Sequence, residues 1–180
     1  MVAEGYKFAH RDVKYPRLEF KTGELVLILP NGHDPEELVE RHLDWIKEKK
    51  QFIKGCLEDS RDRKLAERSK EELKELVCSL VGEFSRELDV SVNRVYFRHM
   101  RTKWASCSPK RNLTVNTLMK YLPTELIEYV VFHEVVHLLE KRHNERFWDM
   151  VAKRFPDYER CERGLFSYWF LIHEDYVRDV

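Results

Sequence analysis

Within an almost wholly apolar run, Val130 to Leu139, the sequence places His133, Glu134 and His137 in the pattern H-E-x-x-H. The neighbours Val130, Val131, Phe132, Val135, Val136, Leu138 and Leu139 are apolar nearly all round, so the segment reads as a buried helix. Buried His and Glu side chains need partners. On an α-helix, residues four apart lie on one face, about 40° from each other. Both imidazoles therefore reach a single metal ion, and Glu134, one step round from His133, lies beside its open coordination position. Neutral imidazole nitrogens suit Zn²⁺, and three protein ligands leave a fourth place for water. Zinc lowers the pKa of such a water to about 7, and a neighbouring carboxylate can take its proton. A purely structural site has no use for an unligated carboxylate, so the pattern points to a catalytic zinc, one per chain.

The third ligand is open to two readings. On a continuous helix His143 lies ~15 Å beyond His133 and about 80° to the other side. It joins the pair only if the helix ends soon after His137 and the chain turns back. Metzincins turn at a glycine in HExxHxxGxxH, a position held here by Glu140. Lys141 and Arg142 suit the last turn of a helix, and Asn144 tolerates a left-handed conformation. The rival is a gluzincin arrangement, with Glu159 or Glu162 supplied by a following helix. His143 is the favoured ligand.

H-E-x-x-H, five residues, His143, three residues and then Phe147-Trp148 resemble the YgjP-like (WLM-type) metallopeptidases, distant relatives of the SprT-like proteins. The upstream stretch MRTKWASCSPKRNLTVN, Met100 to Asn116, is similar to that family's R-W-G-S-C-S segment and the strand after it. Lys103 stands where Arg is usual, and Ala105 where Gly is usual. The resemblance is strongest over Val95 to Phe155. It implies a zincin-type unit in which His133, His137 and His143 hold the metal and Glu134 is the base.

The chain of 180 residues is long enough for one well-buried core or two small linked ones. Charged residues make up 36% and formal net charge is zero, so no global field favours nucleic acid or membrane. Neither an apolar leader nor an 18-residue apolar run is present, which argues against secretion and membrane spans. Cys56, Cys78, Cys107 and Cys161 show no C-x-x-C spacing and read as reduced thiols of a cytoplasmic protein.

Leu18 to Leu29 reads as a β-hairpin turning at Thr22-Gly23. Asp34 and Pro35 open a helix running to about Gly55, with Leu38, His42, Trp45, Ile46 and Lys49 on one stripe. His42 has no partner at ligand spacing and is read as a packed or hydrogen-bonded core histidine. The charged stretch Glu58 to Lys70 is an exposed linker or helix start, and Ser69 and Glu72 have capping-box spacing. Leu73, Leu76, Val77, Leu80, Val81, Phe84 and Leu88 then mark a core helix. Short strands follow at Asn93–Met100, Trp104–Cys107 and Asn112–Asn116. Helices follow the metal segment at Glu145–Phe155 and Tyr158–Ile172. The expectation is an α+β, zincin-like fold with a small antiparallel or mixed sheet. It divides into a hairpin-and-helix unit at 1–60 and a metal-binding catalytic domain at 61–180.

Val90 to Thr124 carries Arg94, Arg98, Arg101, Lys103, Lys110, Arg111 and Lys120 but no acidic residue, and leads directly into the metal helix. It is either an ordinary basic strand surface or a field for an anionic substrate. Tyr96, Phe97 and Trp104 interleave with these cations as a stacking surface does. Arg98, Arg101, Lys103, Trp104 and Asn116 are the candidate substrate contacts, and a strand here is the candidate for pairing with a substrate backbone. Tyr158, Tyr168, His173 and Arg101 are candidates for stabilising an oxyanion. The favoured function is zinc-dependent peptide-bond hydrolysis of a peptide or protein substrate. Hydrolysis of a nucleoside triphosphate such as UTP to release pyrophosphate is the alternative, weakened by the missing glycine-rich phosphate loop. A metal-stabilised module binding single-stranded nucleic acid or a protein is the third class.

Overall fold

The computed structural model of the protein describes residues 6–21 and 24–178. Two three-stranded sheets and six α-helices follow one another along the chain, in an α+β architecture as the sequence implies.

The smaller unit is built on β3 (Glu24–Leu29), an aliphatic strand whose Leu25, Leu27 and Leu29 are buried. β2 (Arg17–Lys21) pairs with it antiparallel, as a hairpin should; the expected turn at Thr22-Gly23 lies outside the described residues. On its other side β1 (Tyr6–His10) pairs parallel, a strand that the periodicity did not announce. Asp34 caps α1 (Pro35–Arg41) by accepting the Glu36 N–H at 2.9 Å. The single helix expected to run to Gly55 is broken at His42, whose backbone leaves helical angles. Its Nδ1 lies 2.9 Å from the Leu38 carbonyl, the hydrogen-bonded role expected of it. α2 (Leu43–Ser60) restarts there. Its first turns close the small core through Ile46, and its far end, with Cys56 and Ser60 buried, docks on the last helix.

The stretch after α2 is neither an exposed linker nor a helix start. It lies as an irregular strap across the larger core. The Arg68 guanidinium donates to the carbonyls of Lys120 and Leu122, at 3.2 and 2.9 Å. Tyr168 donates its hydroxyl to the Lys64 carbonyl, and Arg63 covers the Tyr168 ring. Ser69 and Glu72 form the reciprocal capping box that opens α3 (Lys70–Glu87). α3 buries Leu73, Val77, Leu80, Val81 and Phe84 against α4 (Thr124–Val136), with the Phe84 and Phe132 rings edge to face.

Between them in sequence comes the second sheet, in the order β4 (Arg94–Arg98), β6 (Asn112–Asn116), β5 (Ala105–Cys107). β4 runs parallel to β6 and β5 antiparallel, so β5 is an edge strand. The turn joining β5 and β6 ends on Arg111 at φ 60°, a left-handed residue of the kind three- and four-residue hairpins use. On β4, Arg94, Tyr96 and Arg98 face outward while Val95 and Phe97 pack inward. α5 (Glu145–Arg154) and α6 (Tyr158–Arg178) complete the fold. Among the described residues no helix is long and apolar enough to cross a membrane.

Candidate metal centre

α4 buries Leu126, Ile127, Tyr129, Val130, Val131 and Phe132, and near its C-terminal end His133 and Glu134 emerge half-buried from this apolar surround. The helix stops at His137. Leu138, Leu139 and Glu140 donate back to the carbonyls of Val135 and Val136 in a tightened last turn. Neither glycine nor any left-handed residue makes this reversal: the positive φ angles among the described residues are at Gly32, Asp89 and Arg111. Asn144, expected to supply a left-handed turn, is instead extended (φ −90°) and caps α5, accepting the Phe147 N–H at 3.0 Å.

The reversal brings His143 back onto His133 and His137. One ligand nitrogen from each lies within 4.8 Å of the others, and the Nε2 atoms of His133 and His143 are 2.9 Å apart. Phe147 and Trp148 hold these rings. Phe147 stacks on His137 at 4.7 Å and meets His133 and His143 edge-on, while Trp148 stacks on His143 at 5.6 Å. His137 Nδ1 lies 3.0 Å from the Glu140 carbonyl, which can only accept, so Nδ1 carries the proton and Nε2 keeps a lone pair. Burial, and then the neighbouring imidazoles, push the His133 pKa down to about 3, leaving a neutral ring at neutral pH.

These residues fit a zinc ion. Tetrahedral coordination at 2.0–2.1 Å spaces its nitrogen ligands about 3.3 Å apart, and the observed spacing brackets that value. Glu159 takes no part in the cluster. Glu162, the other carboxylate considered as third ligand, lies behind His133, its Oε1 4.0 Å from Nδ1. That Nδ1 is buried and has no hydrogen-bond partner among the described residues. The nearer task of Glu162 is to accept the hydroxyl of buried Tyr129 at 2.5 Å. Both groups have raised pKa values, chiefly through burial.

Glu134 stands apart from the imidazole cluster and is half-buried. Burial pushes its pKa up to about 7, against the opposing pull of the nearby Cys107 backbone N–H and of the Lys103 charge. That N–H comes from the outer edge of β5. Asn116 N–H bonds the Trp104 carbonyl and Ser108 N–H the Asn112 carbonyl, so residues 104, 106 and 108 bond inward to β6. Ala105 and Cys107 therefore point their backbone groups outward. The result is a cleft of about 580 Å³ with residues 103–109 along one wall and α4 along the floor.

Of the other sequence candidates, Lys103 and Trp104 line this cleft. Arg101 instead lines an adjoining cavity. Arg98 is exposed on β4, at the opposite edge of the sheet, and lines neither. Asn116 is not a substrate contact. It is wholly buried, and its amide accepts from the N–H groups of Met100 and Leu118 and donates to the carbonyls of Met100 and Lys103. It pins the loop that carries Arg101, Lys103 and Trp104. The basic segment does not converge on the cleft as a whole: Lys120 covers the Tyr121 ring, Arg111 bonds Ser91, and Phe97 is a core residue. None of Tyr158, Tyr168, His173 and Arg101 lines the cleft. Sequence reasoning missed Tyr129 and Lys141, which do. Tyr129 lies one turn before His133 on the same face, a spacing that carried the signal.

A sequence model of the YgjP-like metallopeptidase domain matches residues 54–168. A protein of Escherichia coli (strain K12) named UTP pyrophosphatase is 29% identical over 62 residues, which are 34% of this chain and 37% of that protein. The chain thus spans little more than a third of that relative's length. Among solved structures, the metallopeptidase zymogen jannalysin of Methanocaldococcus jannaschii is 26% identical with a TM-score of 0.42, over 52% of this chain and 90% of that one. The zymogen abylysin of Pyrococcus abyssi is 26% identical with a TM-score of 0.41, over 44% of this chain and 80% of that one.

Proposed function

The chain belongs to the YgjP-like metallopeptidase-domain family, and from that premise we propose that it is a zinc-dependent hydrolase that cleaves peptide bonds. The observation that carries this reading is the convergence of His133, His137 and His143 in one cleft with a carboxylate, Glu134, and an edge strand. When bound, a zinc ion supplies a Lewis acid that polarises a carbonyl and acidifies water.

The chain's own residues supply the rest. A peptide laid along β5 pairs with the outward backbone groups of Ala105 and Cys107, as strands add to a free sheet edge. Such pairing recognises backbone and suits a polypeptide better than a nucleotide. Glu134 accepts the proton of the attacking water and passes it to the leaving amine. A carboxyl drawn toward neutrality by burial serves both halves of that transfer. The Phe147 and Trp148 rings hold the imidazoles in place, while His143 stays open to solvent. Lys103 and Lys141, both on the cleft, are the cations nearest to where negative charge develops on the substrate.

Pyrophosphate release from nucleoside triphosphates is the second reading, favoured by the name of the Escherichia coli relative. Against it, Glu134 and Glu162 face the same cleft as the two lysines, leaving little excess positive charge for a polyphosphate. The test compares zinc-loaded wild type with Glu134→Gln on mixed peptides and on UTP. Peptide cleavage that falls by about 10²–10⁴-fold in the variant, with zinc retained, supports the peptidase. Glu134-dependent pyrophosphate release with peptides untouched replaces it by the alternative.

A further inference from the structure

Beside the catalytic cleft lies a second cavity of about 420 Å³, walled by Phe20 of β2, Ile53 of α2, Trp104, and Phe166, Trp169 and Phe170 of α6. Lys103, Trp104, Glu162 and Leu165 line both spaces, so the two adjoin. Its aromatic walls are preset: the Trp104 and Trp169 rings meet edge to face at 5.1 Å, and Phe52 braces Phe166 at 5.3 Å. Phe166 nevertheless remains 45% exposed, a large apolar face at the cavity's mouth. Arg101 and Lys103 stand at the same cavity; the Lys103 charge also acts on Glu134, whereas no acidic side chain among the described residues pairs with Arg101. The loop bearing them is fixed by the buried Asn116 amide through Met100 and Lys103.

We propose that this cavity is a substrate subsite that takes an aromatic side chain of an extended peptide whose neighbouring residue is Asp or Glu. The inference rests on the peptidase reading. Along the β5 edge, a strand leaving Glu134 at Cys107 passes Ala105 and arrives at Lys103, where the cavity opens. At about 3.3 Å per residue, the side chain entering it sits roughly two to four residues from the attacked bond. Ring-lined hydrocarbon walls suit a side chain whose whole surface is apolar, whereas a nucleobase leaves edge donors and acceptors unmet there. Arg101, with Lys103 beside it in the loop, complements one carboxylate beside that ring. The two cations do not balance a triphosphate, which also meets Glu162 on the shared wall.

The test uses the full zinc-loaded chain carrying Glu134→Gln, so that peptides are bound without being consumed. The probes are capped decapeptides with a Phe-Glu pair scanned through each position, matched Ala-Glu and Phe-Gln sets, and UTP. Tryptophan fluorescence reads the affinity. Phe-Glu at one register is expected to bind on the order of 10- to 100-fold more tightly than Ala-Glu. Adding Phe166→Ala should shrink that preference, and adding Arg101→Gln should weaken discrimination between Glu and Gln. Equal binding of the three sets, or preferences untouched by both substitutions, overturns the assignment. UTP binding that displaces peptide and weakens in both variants gives the cavity to a nucleotide instead. Cleavage by wild type that ignores the aromatic residue removes the subsite while leaving the peptidase reading intact. Peptides that are neither bound nor cleaved remove both.

Discussion

Glu134 shows how one residue's surroundings set its chemistry. Its carboxyl has a pKa near 7 in the fold, against 4.5 for the unperturbed side chain, because burial outweighs the Cys107 N–H and the Lys103 charge. In the metal-free protein the folded state therefore holds a proton on this group more firmly than the unfolded chain does. Stability associated with the protonated carboxyl is full below about pH 4.5 and is lost as pH rises through 7. Glu134→Gln removes the titration while keeping the shape of the side chain. Denaturant unfolding of the metal-free proteins should show the variant gaining on wild type between pH 4.5 and 7, by at most about 3 kcal/mol above that range. A gap constant from pH 4 to pH 8 would contradict the account of this carboxyl. Asn116 makes the opposite point. It sits at the end of a strand beside the catalytic segment and reads as a substrate contact, yet all of its amide bonds are internal. Asn116→Ala leaves several buried groups unmatched, so a loss on the order of 3 kcal/mol is expected in thermal or denaturant unfolding. Full stability in that variant would return the residue to solvent.

At the scale of elements, what was legible in the sequence is what local rules enforce. Apolar periodicity, the Ser69–Glu72 capping box and the H-E-x-x-H spacing each act within a few residues, and α3 and α4 form where those rules put them, whereas the helix expected to run to Gly55 breaks at His42. Three features escaped because distant partners decide them. β1 is a strand because β3 offers it an edge, and its own exposed residues carry no alternation of burial. The strap over residues 61–69 is held by carbonyls of Lys120 and Leu122, remote in sequence. The chain reversal after His137 lacks its usual glycine and depends on a tightened last turn, followed by an abrupt restart at Asn144. That restart is the element-scale prediction. Asn144→Ala removes the cap of α5 and should cost about 1 kcal/mol. Because Phe147 and Trp148 follow within the first turn and hold the imidazoles, zinc affinity in chelator competition should fall with it. Unchanged affinity in a destabilised variant would separate the α5 start from the metal centre.

Across the whole molecule, the smaller core around β3 and the larger core around α4 meet through α2, which begins in the first and ends against α6. α6 in turn contributes Glu162 and Leu165 to the catalytic cleft and three aromatic walls to the cavity beside it. The smaller unit thus lines that second cavity through Phe20 and Ile53, a placement that residues near H-E-x-x-H do not reveal. Everything in this arrangement turns on which side chains hold the metal. Zinc-edge X-ray absorption of the loaded protein, compared with His143→Ala and Glu162→Gln, tests that directly. Three imidazole nitrogens at about 2.0–2.1 Å are expected in the wild type, two in His143→Ala, and an unchanged set of three in Glu162→Gln. A ligand lost in Glu162→Gln but kept in His143→Ala would make this a carboxylate-ligated centre and contradict the three-histidine site.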